Sequence, residues 1–134
     1  MMPRPRTPSP VTTAAVTGWT ALIVALAVQA LLVHRQDEWN AQVRADHCRH
    51  LPDLPAAAVY GVVSTVFAVA AAAAFGRWLW LISHGPPGRW WTAAMPIAGV
   101  LALLVLAMFI LQAFSAPTEA RYGTDGSGTP CGVV

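Results

Sequence analysis

The chain has 134 residues, of which 56% are hydrophobic and only 10% are charged, well below the roughly 25% usual in soluble domains. Its net charge is +2, with eight basic residues that are all arginine and form no basic run, so the composition excludes an electrostatic surface for nucleic acid. Arginine without lysine, together with abundant alanine, is typical of codon bias in a genome rich in G and C. We therefore expect a multi-pass protein of a cell membrane, namely the inner (plasma) membrane of a bacterium.

Three apolar segments are long enough to cross a hydrocarbon core of about 30 Å, which takes about 20 helical residues. Because every backbone amide in lipid must find its partner within its own segment, each is predicted to be a helix, and the fold class is predicted to be all-α. The predicted transmembrane helices cover residues 11–33, 56–82 and 91–115. Pro96 is expected to lie in the first, interfacial turn of the third helix. The remaining segments are a disordered cytoplasmic N-terminus (1–10), an extracytoplasmic loop (34–55), a cytoplasmic turn (83–90) and an extracytoplasmic tail (116–134).

The first apolar segment also has features of a cleaved signal peptide. Arg4 and Arg6 precede it, and the small residues of "VQA" at 28–30 would suit a cleavage site. The apolar run, however, exceeds the roughly 7–15 residues usual in a signal peptide and continues through residues 31–33. We therefore expect a helix that is retained in the mature protein.

The stretch "HRQDEWNAQVRADH" follows the first apolar segment and contains neither glycine nor proline. Trp39 and Val43 stand four positions apart in it, which is the spacing of neighbours on one helix face. Two structures are therefore open: either the first helix continues beyond the bilayer with this pair on one face, or the chain becomes an irregular loop.

The polar loop and the tail each contain one cysteine, Cys48 and Cys131. Both fall on the same side of the membrane whichever way the chain is threaded, and in an oxidising compartment two such thiols are more often paired than free. The sequence therefore favours a disulfide between them, which would close a loop of about 80 residues and fasten the tail.

A metal site is the alternative use of the same sulfur atoms. His47, Cys48 and His50 are ligand types that zinc or copper accepts, and Asp46, His34 or Cys131 would complete the shell. The "HCRH" spacing lacks the paired arrangement of known zinc motifs, so we expect no metal and no cofactor. A bridged sulfur is not available as a ligand, which makes the two interpretations exclusive.

The charges of the short connecting segments predict the orientation. The eight arginines divide evenly between the two sides, whereas all six acidic residues fall on the side of 34–55 and 116–134. Acids contribute little to the positive-inside rule, but arginines ahead of the first helix usually dominate it. We therefore expect the N-terminus inside and the C-terminus outside.

The three predicted spans hold no charged side chain deep in the membrane, where one would be the usual mark of an ion path or proton relay; Arg77 lies near the end of the second span and can extend to the interface. The strongly polar residues of the interior are Gln29 and Gln112, each near the outer end of its helix. The first and third helices run in the same direction, so these helix-contact amides are expected at similar depth. A hydrogen bond between them would contribute about 0.5–2 kcal/mol and fix which helix faces meet.

Small residues recur at every fourth position on the first two helices, a pattern that lets helices approach closely in lipid. We expect these stripes to pack a three-helix bundle or to dock another protein. Their members are Thr13, Thr17, Ala21 and Ala25 on the first helix and Ser64, Ala68, Ala72 and Gly76 on the second.

The sequence shows no nucleophile–base pair, no paired carboxylates and no phosphate-binding loop, so we expect no enzymatic activity. The first hypothesis is a small integral membrane protein that acts by protein contact, as an accessory or stabilising subunit of a larger membrane complex. Its partners would be membrane lipid and either another integral membrane protein or further copies of itself. The alternatives are an extracytoplasmic metal-binding or thiol-redox protein that uses the "HCRH" segment, and an immunity or plasmid-spread type of membrane protein.

Overall fold

A computed structural model describes residues 9–45, 56–85 and 91–115 of the chain. These residues form three helices and no strand: α1 (Pro10–Ala45), α2 (Ala57–Ser83) and α3 (Trp91–Phe114). Each helix is long and apolar enough to cross a membrane. The prediction of an all-α chain with three such helices is confirmed for this part of the chain.

The start of α1 is set by a side-chain cap. The backbone N–H of Thr12 donates to Ser9 Oγ at 3.2 Å, and the backbone N–H of Thr13 donates to the carbonyl of Ser9 at 3.0 Å. Pro10 follows as the first helical residue, where its missing N–H costs nothing. The helix therefore begins one residue before the predicted start at residue 11.

Beyond residue 33, α1 continues without a break to Ala45. On this polar part of the helix the carboxylate of Glu38 contacts two side chains. Its Oε1 lies 3.3 Å from His34 Nε2, and its Oε2 lies 3.6 Å from Arg35 Nη1. Trp39 is buried, at 8% exposure. Of the two structures left open for this stretch, the irregular loop is wrong as far as Ala45, and the rest of the predicted loop lies outside the described residues.

Pro96 lies deeper in α3 than expected. The helix begins at Trp91, so Pro96 falls past its first turn, and its side chain is fully buried. Proline has no N–H, so the helix lacks the hydrogen bond that a donor at this position would make to the carbonyl of Thr92. The expected position in the first, interfacial turn is therefore wrong.

α1 and α2 pack side by side in opposite directions. The hydroxyl of Ser64 donates to the carbonyl oxygen of Ala25 at 3.5 Å, and both residues are fully buried. Phe75 lies later in α2 and packs against Gly18, which lies earlier in α1. The two helices are therefore antiparallel.

The ring of Phe75 is the centre of the packing between all three helices. It is fully buried between Gly18 of α1 and Gly99 of α3. A Cβ atom at Gly18 would lie 2.8 Å from Phe75 Cε1, and one at Gly99 would lie 2.5 Å from Phe75 Cζ. Trp19 meets the ring edge-on, with 5.4 Å between the ring centroids. Glycine at both positions lets the helices close around the ring.

At the other end of the bundle, Phe114 of α3 packs against Gly61 of α2. A Cβ atom at Gly61 would lie 3.1 Å from Phe114 Cζ. Because Gly61 precedes Phe75 in α2 while Phe114 follows Gly99 in α3, these two helices are antiparallel, and α3 runs parallel to α1. A second, smaller cluster at this end comprises Leu32, Ala57 and Ala113.

The three helices are covered to different extents. In α1, 33% of the residues of the most apolar window are buried, against 28% in α2 and 17% in α3. α2 lies between its neighbours, whereas α3 contributes a narrow strip to the core that includes Gly99, Leu106 and Ala113. Most of the surface of α3 is therefore open to its surroundings.

Candidate functional site

The side chains predicted for a disulfide or a metal site are not among the described residues. His47, Cys48, His50 and Cys131 all lie outside the ranges 9–45, 56–85 and 91–115. Within those ranges, no three His, Cys, Asp or Glu side chains come together in a group that would hold a metal ion. The disulfide and the metal site both stay predictions.

The two glutamines predicted to pair lie toward the same end of the bundle but on different faces. Gln29 is buried, at 5% exposure, and its Nε2 has no hydrogen-bond partner in the described structure. Gln112 is exposed, whereas its neighbour Ala113 packs with Leu32, less than one turn beyond Gln29. Because Ala113 occupies the face of α3 that turns toward the other helices, Gln29 Nε2 does not make the predicted hydrogen bond.

The small-residue stripes match the core only in part. On α2, Ser64 is fully buried, Ala68 is half-buried, and Ala72 and Gly76 are exposed. Four residues advance about 400° around a helix of 3.6 residues per turn, so each step of the stripe drifts by about 40°. The buried positions instead follow steps of four, three, seven, four and three residues, along Ala57, Gly61, Ser64, Ala71, Phe75 and Trp78.

On α1 the same drift separates the stripe into two parts. Ala21 and Ala25 are buried in the core, whereas Thr13 and Thr17 are exposed beside α2. These two threonines line a groove between α1 and α2 together with Arg77. The stripe therefore marks both a packed contact and an open surface.

One face of α3 is exposed from Ala94 to Gln112, and we refer to it as the α3 outer face. Its positions follow one another by four and three residues, which keeps them on a single straight seam of the kind that a second helix covers. The α3 outer face comprises Ala94, Ala98, Leu101, Val105, Met108 and Gln112, all of them exposed.

Gln112 is the one amide on the α3 outer face. Its side chain makes no hydrogen bond within the described part of the chain, and the residues that precede it on the seam are small or apolar. Leu101, Val105 and Met108 are 58%, 58% and 62% exposed. The three-four spacing is visible in the sequence, but the sequence does not indicate whether this face of α3 or the opposite one packs against α1 and α2.

A serine and a histidine meet at the end of α2, in an arrangement that caps the helix. Ser83 Oγ donates to the carbonyl oxygen of Trp80 at 2.8 Å. His84 Nδ1 lies 3.0 Å from that same oxygen and 3.0 Å from Ser83 Oγ. A carbonyl oxygen can only accept, so this geometry places a proton on Nδ1 and directs the serine proton to the backbone. The pair therefore stabilises the last turn and does not form a nucleophile with its base.

The described part of the chain thus offers two kinds of surface, the largely apolar α3 outer face with one amide and the groove beside Arg77. The chemistry available at both is packing, hydrogen bonding and charge. No protein-family model matches the sequence, and comparisons with curated proteins and with solved structures find no significant match.

Proposed function

We propose that this chain is a small, non-enzymatic integral membrane protein with three transmembrane helices, and that it acts by protein contact as an accessory or stabilising subunit of a larger membrane complex. Insertion is supported by the outer surface of the bundle. Ile23, Val66 and Leu104, one on each helix, are 62%, 62% and 63% exposed. Such apolar surface is rare on soluble monomers, whereas lipid covers it readily.

The proposed orientation has the N-terminus inside and the C-terminus outside. Its support is the pair of arginines ahead of α1 and the concentration of all six acidic residues on the opposite side. On that side the compartment is oxidising in the cell envelope of a bacterium, which favours a bridge between Cys48 and Cys131.

Thiol labelling of intact cells tests orientation and bridge together. With a membrane-impermeant maleimide, we expect no label before reduction, because the sulfur atoms are bridged, and two labels after an impermeant phosphine, because both cysteines face outward. Intact mass of the purified chain counts the labels, and a Cys48→Ser/Cys131→Ser variant gives the background. Labelling only after lysis would contradict the orientation. Labelling before reduction would contradict the bridge, and stoichiometric zinc or copper would then favour the metal site.

The proposed contact surface is the α3 outer face, and the observation that carries this is the exposed, unpaired amide of Gln112. An amide on a lipid-facing helix surface is stabilised when it bonds to a polar group of a neighbouring helix, by about 0.5–2 kcal/mol. A single polar residue in an apolar seam also fixes the register of two packed helices. We therefore infer that another membrane helix lies along this face with a polar group at the level of Gln112.

Site-specific photo-crosslinking in cells tests this contact. A photoreactive residue at Met108, on the α3 outer face, is expected to give one discrete product with a protein partner. The same residue at Val66 of α2 is the matched control, because the two positions are equally exposed at 62%. The product is identified by its mass and peptides, and a second copy of this chain counts as a partner.

The contribution of Gln112 is measured in the same experiment. The Gln112→Leu change is expected to lower the crosslinking yield at Met108 severalfold, because it removes a hydrogen bond worth about 0.5–2 kcal/mol, or about 2- to 30-fold in association. Equal lipid-only products at Met108 and Val66 would show that lipid covers this face. An unchanged yield for Gln112→Leu would show that the amide does not guide the contact.

A further inference from the structure

A groove of about 360 Å³ opens between the first turns of α1 and the last turns of α2. Pro10, Thr13 and Thr17 line it on α1, and Ala70, Ala73 and Arg77 line it on α2. Pro10 and Arg77 lie at the end of the bundle, whereas Thr17 and Ala70 lie about two turns further in. The groove therefore has a polar mouth and a floor of alanine that runs along the helices.

The charge at the mouth of the groove is unbalanced. Arg77 is the single charged residue of α2, and α3 has none. Its guanidinium group has no hydrogen-bond or ion-pair partner in the described part of the chain, and the ion pairs found there involve His34, Arg35 and Glu38 at the far end of α1. The first turn of α1, beside Pro10, adds the positive end of a helix dipole.

The hydroxyl groups of the groove are unequally engaged. Thr13 donates its hydroxyl to the carbonyl oxygen of Ser9 at 3.2 Å, whereas Thr17 makes no side-chain hydrogen bond within the described residues. Thr17 is therefore free to donate. No carboxylate lines the groove, so its one charged group, Arg77, attracts an anion and repels an ammonium group.

We propose that this groove binds one anionic phospholipid, with the phosphate at Arg77 and an acyl chain along Ala70 and Ala73, where the Thr17 hydroxyl can donate to an ester carbonyl of the lipid. A bidentate guanidinium–phosphate pair explains the choice of an anion. The alanine floor explains the choice of a lipid, because a free phosphate would contact only the mouth. The proposal requires the membrane insertion proposed above but no protein partner.

Native mass spectrometry of the delipidated full chain in a mild non-ionic detergent tests the site. The probes are phosphatidylglycerol, phosphatidylcholine with the same acyl chains, and inorganic phosphate. One phosphatidylglycerol molecule is expected to bind at least about tenfold more tightly than phosphatidylcholine, because both lipids present a phosphate to Arg77 but the quaternary ammonium of choline cancels its charge and is repelled by the guanidinium. Inorganic phosphate is expected not to bind measurably in the same range.

Three variants separate the contribution of the charge at the mouth of the groove from that of its alanine floor. Arg77→Gln removes the charge, and Ala73→Leu fills the groove with the charge intact; each is expected to weaken phosphatidylglycerol binding about tenfold. Arg35→Gln, an exposed arginine at the far end of α1, is the control and is expected to bind as the unmodified chain does. Circular dichroism checks that each variant keeps its helices, and a variant that loses them is replaced by Arg77→Met or Ala70→Leu.

The outcomes distinguish this proposal from the contact function. Equal binding of the two lipids, or equal effects of Arg77→Gln and Arg35→Gln, would overturn the lipid site and leave the α3 outer face untouched. Inorganic phosphate binding as tightly as the lipid would replace the lipid with a free anion. Because no partner protein is present, loss of crosslinking at Met108 in cells would not alter these measurements.

Discussion

Replacing Phe75 with alanine is expected to lower the free energy of unfolding by about 2–4 kcal/mol. The ring is fully buried and touches both neighbouring helices at glycine. Where helices stay in lipid after they separate, the lost stability comes mainly from the cavity and the missing van der Waals contacts rather than from transfer out of water. The loss is therefore set by how little the glycine backbones of α1 and α3 can move into the vacated space.

The measurement is a denaturant titration in mixed detergent micelles, followed by helical circular dichroism and by tryptophan fluorescence. Trp19 and Trp78 lie 5.4 Å and 6.5 Å from Phe75 between ring centroids, so their emission is expected to change as well. Phe109→Ala is the control, because Phe109 is 43% exposed and a change there is expected to cost less than about 0.5 kcal/mol. Equal losses for the two variants would mean that Phe75 is not the centre of the packing.

Gly99→Ala and Gly18→Ala are each expected to destabilise the bundle by about 1–3 kcal/mol through overpacking. The added methyl groups would lie 2.5 Å and 2.8 Å from atoms of the Phe75 ring. A ring with open space on one side would move away from an added methyl group. The Phe75 ring cannot, because Gly18 of α1 lies on one side of it and Gly99 of α3 on the other. A movement of the ring away from a new methyl group at one glycine therefore brings it too close to the backbone of the other glycine.

Gly76→Ala is the matched control for these changes. It adds the same methyl group one residue after Phe75, where no atom lies within 4 Å, and is expected to be neutral or to stabilise the helix by up to about 1 kcal/mol. The Gly99→Ala cost should also shrink in a Phe75→Leu background, because the two residues are in contact. A cost for Gly76→Ala as large as that for Gly99→Ala would contradict the tight packing of the Phe75 ring between Gly18 and Gly99. Strict additivity of Gly99→Ala with Phe75→Leu would contradict it as well.

The number and approximate position of the helices could be predicted because hydropathy is a local property of each segment. The extent of α1 could not, since the polar stretch after residue 33 carries no hydropathic signal. Its helix is supported by the contacts of Glu38 with His34 and Arg35. The absence of glycine and proline left the helix open as one of two alternatives.

The relative depth of the two predicted glutamines along their helices could be predicted, but the direction in which each points could not. Gln29 and Gln112 lie toward the same end of the bundle, as counting residues from the ends of each span suggests. Which side of α3 faces α1 and α2 depends on long-range contacts such as that between Gly99 and Phe75. In a helix that is apolar all round, no periodicity distinguishes the packed side from the open one.

The packing of Phe75 between Gly18 and Gly99 also could not be predicted from the sequence. Gly18 stands between Thr17 and Trp19, and Gly99 stands between Ala98 and Val100; glycine is common in transmembrane segments, so neither position is distinctive. Their partner Phe75 follows five consecutive alanines, and nothing in that local pattern links it to positions in two other helices. The small-residue stripes predicted other contacts, although residues that repeat strictly every four positions rotate steadily around the helix and leave any straight interface.

The unbroken length of α1 has a mechanical consequence. Leu32 packs beside Ala57, the first residue of α2, so the stretch 33–45 rises about 20 Å past the end of its neighbour. Between Trp19 and Ala45 there is no glycine or proline at which the helix would hinge. A force on the Ala45 end of α1 is therefore transmitted along an unbroken helix to the point where Gly18 contacts Phe75.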